Sequence, residues 1–284
     1  MEICRSKSEM RRATATMRAG GAQRIGFVPT MGALHEGHLG LVRLARSQCD
    51  RVVVSVFVNP TQFEDPSDLE KYPRDDARDM DLLRAEGVDA VLLPAVEEMY
   101  PPGAQTIVET TGLSRVLIGA LRPGHFRGVA TVVTKLFNIV GPDAAFFGEK
   151  DYQQLAVIRT MVRDLDMPVE VFGHPIVREP DGLAMSSRNV RLLPEHRVEA
   201  PVLSRALERA EAMAAAAPVT IDELRADIAL TLAEAPSAEV DAIDIQDAQT
   251  LGDLDGPLDR PAVILLAVRF GAILLIDNRV VSPV

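Results

Sequence analysis

The stretch that decides the fold runs from residue 24 to residue 58 and reads RIGFVPTMGALHEGHLGLVRLARSQCDRVVVSVFV. It opens with a short apolar run, Arg24–Pro29, and closes with a second one, Arg51–Val58. Between them, Gly37–Gln48 has apolar residues at the spacing of an amphipathic helix. Short, nearly continuous apolar runs are typical of strands that are buried on both faces of a parallel sheet. The stretch therefore predicts a strand, a helix and a second, parallel strand.

The same alternation continues through the first two-thirds of the chain. Three further apolar runs predict strands, and three amphipathic segments predict helices. The strands are Ala90–Leu93, Ala144–Phe147 and Val169–Phe172, and the helices are Ser67–Glu86, Gly128–Val140 and Tyr152–Asp164. Strands that alternate with helices in this way favour an α/β fold with a doubly wound, Rossmann-like parallel sheet, which we assign to residues 1–177.

The sequence pattern changes near Val177. An alanine-rich helical segment ends at Pro218, and Thr220 and Glu223 then have the spacing of a capping box at the start of another helix. Three short segments follow that predict the strands of a small antiparallel sheet: Val240–Gln246, Ala262–Val268 and Ala272–Ile276. Residues 178–284 are therefore predicted to form a smaller C-terminal α+β domain.

The composition restricts the classes of function. The formal net charge of −11 argues against a broad nucleic-acid-binding face, which needs clustered lysine and arginine. No apolar run reaches the roughly 18 residues of a membrane span, and the N-terminus lacks the apolar core of a signal peptide. The two cysteines, Cys4 and Cys49, fit free thiols in a reducing compartment. We therefore expect a cytoplasmic protein that binds neither nucleic acid nor a membrane.

His35 and His38 lie at the boundary between the first strand and its helix. Three readings of the pair are open: metal ligands, histidines without a functional role, or ligands for phosphate. The zinc signature His-Glu-x-x-His needs one more residue between the histidines, and no third ligand is evident. Gly37 beside the pair allows close approach of the backbone, and the helix start offers unpaired N–H groups. Because α/β folds bind ligands at the carboxyl ends of their strands, the position favours phosphate chemistry.

Five ordered blocks of sequence carry a resemblance to a known family. They are PTMGALHEGH (29–38), FVNPTQF (57–63), RPGHFRGVATVV (122–133), FFGEKDYQQL (146–155) and DGLAMSSRN (181–189). Together they resemble the pantoate–β-alanine ligases, or pantothenate synthetases, over about residues 24–195. That family belongs to the nucleotidyltransferases with a His-x-Gly-His signature, which share a core with class I aminoacyl-tRNA synthetases.

The resemblance implies a reaction in two steps. ATP activates the carboxylate of pantoate as pantoyl adenylate with release of pyrophosphate, and the amine of β-alanine then displaces AMP to give pantothenate. The resemblance also implies Mg²⁺ with the ATP, and a homodimer. The chemistry requires two anions to be placed against each other, which a protein achieves by orientation and electrostatics.

The resemblance also assigns site residues one by one. It implies a catalytic role for His35, His38 and Lys150. It places ATP on Met31, His35, His38, Gly148, Lys150, Asp151, Val177, Met185, Ser186, Ser187 and Arg188, and pantoate and β-alanine on Asn59, Gln62, His125 and Gln154. The loop 186–188 takes the place of the Lys-Met-Ser-Lys-Ser loop of the synthetases. With the C-terminal domain, this loop is expected to close over ATP as a lid.

The residue types support parts of this assignment. Lys150 follows an apolar strand, at the carboxyl edge of the sheet, where an ammonium group can hold a phosphate. Asp151 beside it can cap the next helix. For magnesium, the acidic position of the family falls on Asp79, but Arg78 and Leu82 occupy neighbouring metal-side positions and cannot be ligands. The sequence therefore leaves Asp79 as the candidate contact to magnesium.

Two rival functions stay open at this point. One is a nucleotidyltransferase of the same superfamily that keeps the nucleotide in its product, and the amide-bearing segments FVNPTQF and YQQ argue against it. The other is a non-catalytic nucleotide sensor on the same scaffold, which would not need His38 and Lys150 together.

Overall fold

A computed structural model describes all of residues 1–284, which divide into two compact units, Met1–Pro175 and Ile176–Val284. The elements of the first unit are β1 (Glu2–Cys4), α1 (Lys7–Ala19), β2 (Ile25–Thr30), α2 (Glu36–Gln48), β3 (Arg51–Val56), α3 (Pro66–Glu70), α4 (Asp76–Ala85), β4 (Ala90–Leu92), α5 (Val96–Met99), α6 (Ile118–Leu121), α7 (His125–Val140), β5 (Ala144–Gly148), α8 (Tyr152–Asp164) and β6 (Glu170–His174). Short 3-10 turns lie at Pro60–Gln62, Leu113–Arg115 and Glu149–Asp151.

The strands of the first unit form one six-stranded parallel sheet in the order β1-β4-β3-β2-β5-β6. Helices cover both of its faces, since one buried cluster packs α1, α7 and α8 on the sheet and another packs α2 and α4. Consecutive residues such as Val53 and Val54 belong to different clusters, as the alternation of side chains along a strand requires. The predicted doubly wound parallel sheet is confirmed.

The order of the strands reverses at β2. From β2 the chain passes to β3 and β4 on one side of the sheet, and it later adds β5 and β6 on the other side. Gly26 and Phe27 of β2 pair with Ala144 and Ala145 of β5. In open α/β sheets such a reversal leaves a crevice outside the carboxyl ends of the two strands, and ligands bind there. The residues that follow β2 and β5 therefore hold the most favourable position for a site.

The first unit differs from the sequence prediction in one divided helix and in several elements that were not predicted. The segment Ser67–Glu86 forms two helices, α3 and α4, rather than one. Pro73 lies between them, and a proline lacks an N–H donor and disfavours the helical conformation at the residue before it. Asp75 starts the second helix, because its side chain accepts a hydrogen bond from the N–H of Arg78 at 3.0 Å. The elements β1, α1, α5 and α6 have no counterpart in the prediction.

The second unit has the α+β architecture that the sequence predicts for the C-terminal part of the chain. Its elements are α9 (Pro194–Glu199), α10 (Val202–Ala216), α11 (Ile221–Leu232), β7 (Ala238–Asp247), β8 (Ala262–Phe270) and β9 (Ile273–Val281), with a 3-10 turn at Asn189–Arg191. The strands form an antiparallel sheet in the order β7-β8-β9, which shares a buried core with α10 and α11. The predicted capping box is present, because Oγ1 of Thr220 accepts from the N–H of Glu223 at 3.2 Å. None of the helices in the chain combines the length and apolar character that crossing a membrane requires.

Candidate active site

The histidine pair stands at the start of α2, directly after the loop that leaves β2. His35 is the N-cap residue of the helix, and its Nδ1 accepts a hydrogen bond from the N–H of Gly37 at 3.2 Å. Nδ1 of His38 accepts from the N–H of His35 at 3.3 Å. The centroids of the two rings are 4.0 Å apart. Two imidazoles thus take the place of the hydroxyl and carboxylate of an ordinary capping box.

These hydrogen bonds determine which ring nitrogen carries the proton. A backbone N–H can only donate, so Nδ1 of each ring is an acceptor and a neutral ring carries its proton on Nε2. Burial lowers the pKa of His38 well below its usual value of 6.5, and the electrostatic effects of His35 and of the ammonium group of Lys150 lower this pKa further. His38 is therefore neutral at pH 7 and presents Nε2–H as a hydrogen-bond donor.

Lys150 lies on the other side of the strand reversal, in the 3-10 turn that follows β5. Its charge contributes to the low pKa of His38, and because β2 and β5 are neighbouring parallel strands, both residues lie at the same edge of the sheet. Gly148 is the last residue of β5. One expectation is wrong: Asp151 stands at the N-cap of α8, but its side chain makes no capping hydrogen bond. The first unit thus brings together a neutral donor and a cation.

A second group of polar side chains follows β3, the other neighbour of β2. Asn59 is 1% exposed, and its hydrogen bonds are made within the protein. Its Nδ2 donates to Oε1 of Gln62 at 3.0 Å and to the carbonyl oxygen of Gly128 at 3.2 Å. Its Oδ1 accepts from the hydroxyls of Thr61 and Tyr100, each at 2.9 Å. Asn59 therefore orients the amide of Gln62.

Gln62 and His125 are held in defined orientations by this arrangement. Because Oε1 of Gln62 accepts from Asn59, the NH₂ group of its amide is the part that can donate to a ligand. The carbonyl oxygen of Gln62 accepts from Nδ1 of His125, at 2.9 Å. A neutral His125 therefore carries its proton on Nδ1 and has an acceptor at Nε2, which is the opposite tautomer to that of His38. Gln154 is half-buried in the first turn of α8.

Gly128 is required where α7 approaches the turn after β3. A Cβ atom at this position would lie 2.5 Å from the carbonyl oxygen of Thr61 and 2.8 Å from the backbone nitrogen of Gln62. Neither backbone atom can move aside cheaply, so Gly128→Ala should lower the free energy of unfolding by about 1–3 kcal/mol, the usual cost of overpacking. Urea unfolding measures the loss. Gly112→Ala is the control, because a Cβ at Gly112 meets no atom within 4 Å, and an equal loss in both variants would contradict the prediction.

The carboxylate of Asp79 has surroundings that do not suit the predicted contact to magnesium. The side chain is 0% exposed, and its two oxygens accept the N–H groups of Ala33 and Leu34, each at 2.8 Å. Burial raises the pKa of this carboxyl. On the same helix Arg78 is a cation and Leu82 is apolar. These residues do not fit a protein-bound magnesium ion.

The residues predicted for the lid belong to the second unit and form a hairpin and a turn. The N–H of Met185 donates to the carbonyl oxygen of Val177 at 2.9 Å, so these two predicted ATP contacts lie side by side. Oγ of Ser186 accepts from the N–H of Arg188 at 3.2 Å, which closes a short turn around Ser187. The turn gathers two hydroxyls and a guanidinium group.

Asn189 and Arg178 fasten this turn to the rest of the second unit. Nδ2 of Asn189 donates to the carboxylate of Glu179 at 2.8 Å and to the carbonyl oxygen of Ala184 at 3.1 Å. Arg178 makes two hydrogen bonds, at 2.7 and 3.0 Å, to the buried carboxylate of Asp277 in β9. The shape of the turn is therefore set by the second unit itself.

The sequence prediction assigns no structural role to three side chains near the site: Arg78, Tyr100 and Gln153. Each binds a group that is distant in the sequence. Gln153, for example, is 3% exposed and donates to the carbonyl oxygens of Leu113 and Val116. No spacing rule marks such contacts, so the sequence offers no signal for them.

The doubly wound sheet and the histidine pair at its strand reversal define an α/β protein of the His-x-Gly-His class. The family model described as pantoate-beta-alanine ligase matches residues 2–280. The chain belongs to this family, which is a family of ligases.

Two pantothenate synthetases are similar to this chain over nearly its whole length, which agrees with the family assignment. A pantothenate synthetase of Bartonella bacilliformis is 50% identical over 282 residues, which cover 99% of this chain and 100% of the relative. One of Chloroflexus aggregans is 51% identical over 278 residues, which cover 98% and 99%. The resemblance carried by the five sequence blocks is confirmed.

Solved structures show the same fold over the full length of the chain. Pantothenate synthetase from Thermus thermophilus matches with a TM-score of 0.93 at 48% identity and covers 100% of both chains. Pantoate-beta-alanine ligase from Francisella tularensis, complexed with beta-gamma ATP and beta-alanine, matches with a TM-score of 0.81 at 34% identity and covers 98% of this chain and 97% of that one.

Proposed function

We propose that this protein condenses pantoate with β-alanine, using ATP and forming pantoyl adenylate as the intermediate. The observation that carries the proposal is the Nε2–H donor of His38 after β2 together with Lys150 after β5, on the two sides of the strand reversal. A triphosphate needs hydrogen-bond donors and positive charge, and this place offers both. The family supports pantoate as the acid, and the Francisella tularensis complex supports ATP and β-alanine.

In the first step the carboxylate of pantoate attacks the α-phosphorus of ATP. A bond forms between a carboxylate oxygen and phosphorus, the bond from phosphorus to the bridging oxygen breaks, and pyrophosphate leaves. Negative charge spreads over the phosphoryl oxygens in the transition state. The Nε2–H groups of His35 and His38 and the ammonium group of Lys150 stabilise this charge. A neutral imidazole suits the role, because it keeps its proton throughout the step.

Pantoate binds beside the carboxyl end of β3 in this proposal, in contact with Gln62 and Gln154. The NH₂ group of Gln62 donates to an oxygen of the acid, and Nε2 of His125 accepts from a hydroxyl of pantoate. Asn59 acts through Gln62, whose amide it orients. The geometry therefore supports a positioning role for Asn59 in place of the ligand contact that the resemblance implies.

In the second step β-alanine attacks as the free amine. Its nitrogen forms a bond to the acyl carbon and loses one proton to water, the bond between the acyl carbon and the phosphate oxygen breaks, and AMP leaves. The adenylate makes this possible, because AMP is a far better leaving group than the oxide of a free carboxylate.

The second unit acts as the lid over ATP in this proposal. Ser186, Ser187 and Arg188 supply hydroxyls and a guanidinium suited to phosphate oxygens, and Asn189 keeps their turn in shape. Mg²⁺ enters with ATP and is held by phosphate oxygens and water, since Asp79 is occupied by backbone N–H groups. We further propose a homodimer, which the family resemblance implies, and a cytoplasmic location, which the two free cysteines support.

Pantoate-dependent exchange of labelled pyrophosphate into ATP tests the proposal. With pantoate and ATP alone, exchange should occur because the adenylate forms reversibly, and no net AMP should be released. Addition of β-alanine should release one AMP for each pantothenate formed. A nucleotidyltransferase that keeps the nucleotide in its product would give no AMP, and a nucleotide sensor would give no exchange, so either result would overturn the proposal.

A further inference from the structure

Helix α4 holds the loop that carries the histidine pair. The buried carboxylate of Asp79 accepts the N–H groups of Ala33 and Leu34, each at 2.8 Å. The adjacent Arg78 donates from Nη1 to the carbonyl oxygen of Leu34, at 3.0 Å. Two neighbouring side chains therefore bind three backbone groups of one loop, immediately before His35.

The loop needs this support because of its backbone conformation. Gly32 has φ of 78° and Ala33 has φ of 50°, so two successive residues lie in the left-handed region. An alanine seldom adopts this conformation unless its surroundings enforce it. A Cβ atom on Gly32 would lie 3.0 Å from Oδ2 of Asp79 and 3.1 Å from a methyl group of Val56, so the loop packs closely against both α4 and β3.

A chain of hydrogen bonds leads from Arg78 to His38 through a single peptide group. The guanidinium donates to the carbonyl oxygen of Leu34, and the N–H of the same peptide group, which belongs to His35, donates to Nδ1 of His38 at 3.3 Å. A charged donor on the carbonyl oxygen polarises the peptide group and makes its N–H a stronger donor. Nδ1 of His38 is thereby kept as the acceptor, and the ring proton is kept on Nε2.

We propose that Arg78 and Asp79 are positioning residues that fix the ring and the tautomer of His38 through the loop backbone, and that Asp79 does not bind magnesium. The inference rests on the proposed function for the use that His38 makes of its donor, whereas the tautomer is a property of the free protein. A carboxylate that binds magnesium would have to face solvent or ATP, and the side chain of Asp79 is 0% exposed.

Arg78→Met tests the chain of hydrogen bonds, because it keeps the length of the side chain and removes the donor. Long-range proton–nitrogen NMR separates a protonated ring nitrogen from an unprotonated one, and His38→Gln assigns the His38 signals among those of five histidines. We expect Nε2–H alone in the unmodified protein and a mixture of tautomers in Arg78→Met. The kcat of pyrophosphate exchange should fall by about tenfold or more, with little change in KM for ATP. Arg78→Lys keeps a charged donor and should restore most of the Nε2–H tautomer and most of the kcat.

Asp79→Asn separates positioning from metal binding. The amide turns one hydrogen-bond acceptor into a donor that faces a backbone N–H, so the loop should shift and the tautomers of His38 should mix. The concentration of Mg²⁺ that gives half-maximal exchange should stay as it is in the unmodified protein. A rise in that concentration with unchanged His38 signals would overturn the proposal.

The control variant is Arg84→Met on the same helix. Arg84 pairs with the exposed Asp81, so its loss should leave the tautomer of His38, kcat and the dependence on Mg²⁺ unchanged. Retention of the Nε2–H tautomer alone in Arg78→Met would also overturn the proposal. If the unmodified protein shows no pantoate-dependent exchange, the proposed function fails, while the NMR measurement still decides this inference.

Discussion

Replacing His38 with alanine should lower the kcat of pantoate-dependent pyrophosphate exchange by on the order of 10²–10³, the usual effect of removing one donor to a developing oxyanion. The ring of His38 is neutral at pH 7, so the variant loses a hydrogen bond and no charge. The loss belongs mainly to the transition state, where the phosphoryl oxygens carry more charge than in bound ATP. The KM for ATP should therefore change much less than kcat.

Two amide variants of the same residue identify the nitrogen that donates. The NH₂ group of glutamine in His38→Gln can reach the position of Nε2, whereas that of asparagine in His38→Asn reaches only the position of Nδ1. His38→Gln should therefore keep more activity, and equal activity of the two would contradict a donor at Nε2. His196→Ala in the second unit is the control: this ring lies 6.2 Å from that of Phe270, and its loss should leave kcat unchanged.

Lys150→Met should lower the same kcat by a comparable factor, on the order of 10²–10³, because it removes the positive charge from the turn after β5. Methionine keeps the length of the side chain without the ammonium group. The variant should also raise the pKa of His38, since the charge of Lys150 is one of the causes that lower it. Burial is the larger cause, so the pKa should recover only in part.

Two further lysine variants complete the experiment. Lys150→Arg keeps the charge but spreads it over a planar group, so it should restore part of the exchange rate. Lys7→Met, at the start of α1, should leave the rate unchanged. A normal exchange rate in Lys150→Met would remove this lysine from the mechanism, even if the pKa of His38 shifts as expected.

The central part of the fold is predictable because its strands are buried on both faces. The strands β2 and β3 therefore appear in the sequence as apolar runs, and the helix between them shows the spacing of apolar residues that is typical of an amphipathic helix. The edge strand β1 has the sequence Glu-Ile-Cys, which begins with an exposed charged residue and shows no apolar run. Helix α1 does have a sequence signal, since Ser6 and Glu9 form its capping box. Pro73, which separates α3 from α4, is another signal in the sequence. A prediction that uses only the apolar pattern misses it and joins the two helices.

The candidate site is also only partly predictable from the sequence. His35, His38 and Lys150 come directly after strands, so the order of elements is enough to place them at one edge of the sheet. The backbone groups that bind Asp79 lie 46 and 45 residues before it, a contact that no spacing rule reveals. The family resemblance implies that this carboxylate contacts magnesium. In the structure it is buried and accepts two N–H groups of the loop before His35. The tautomers of His38 and His125 also require atomic positions.

Under the proposed function, the ring nitrogens of His38 and His125 determine which groups an inhibitor of the adenylation step has to offer. An uncharged acceptor, such as a sulfonyl group in place of the phosphate ester of the adenylate, can still accept from the Nε2–H of His38. A hydroxyl at the acid end can still donate to Nε2 of His125. Because neutral rings attract through dipoles, this part of the affinity should persist at ionic strengths that weaken the contact to Lys150.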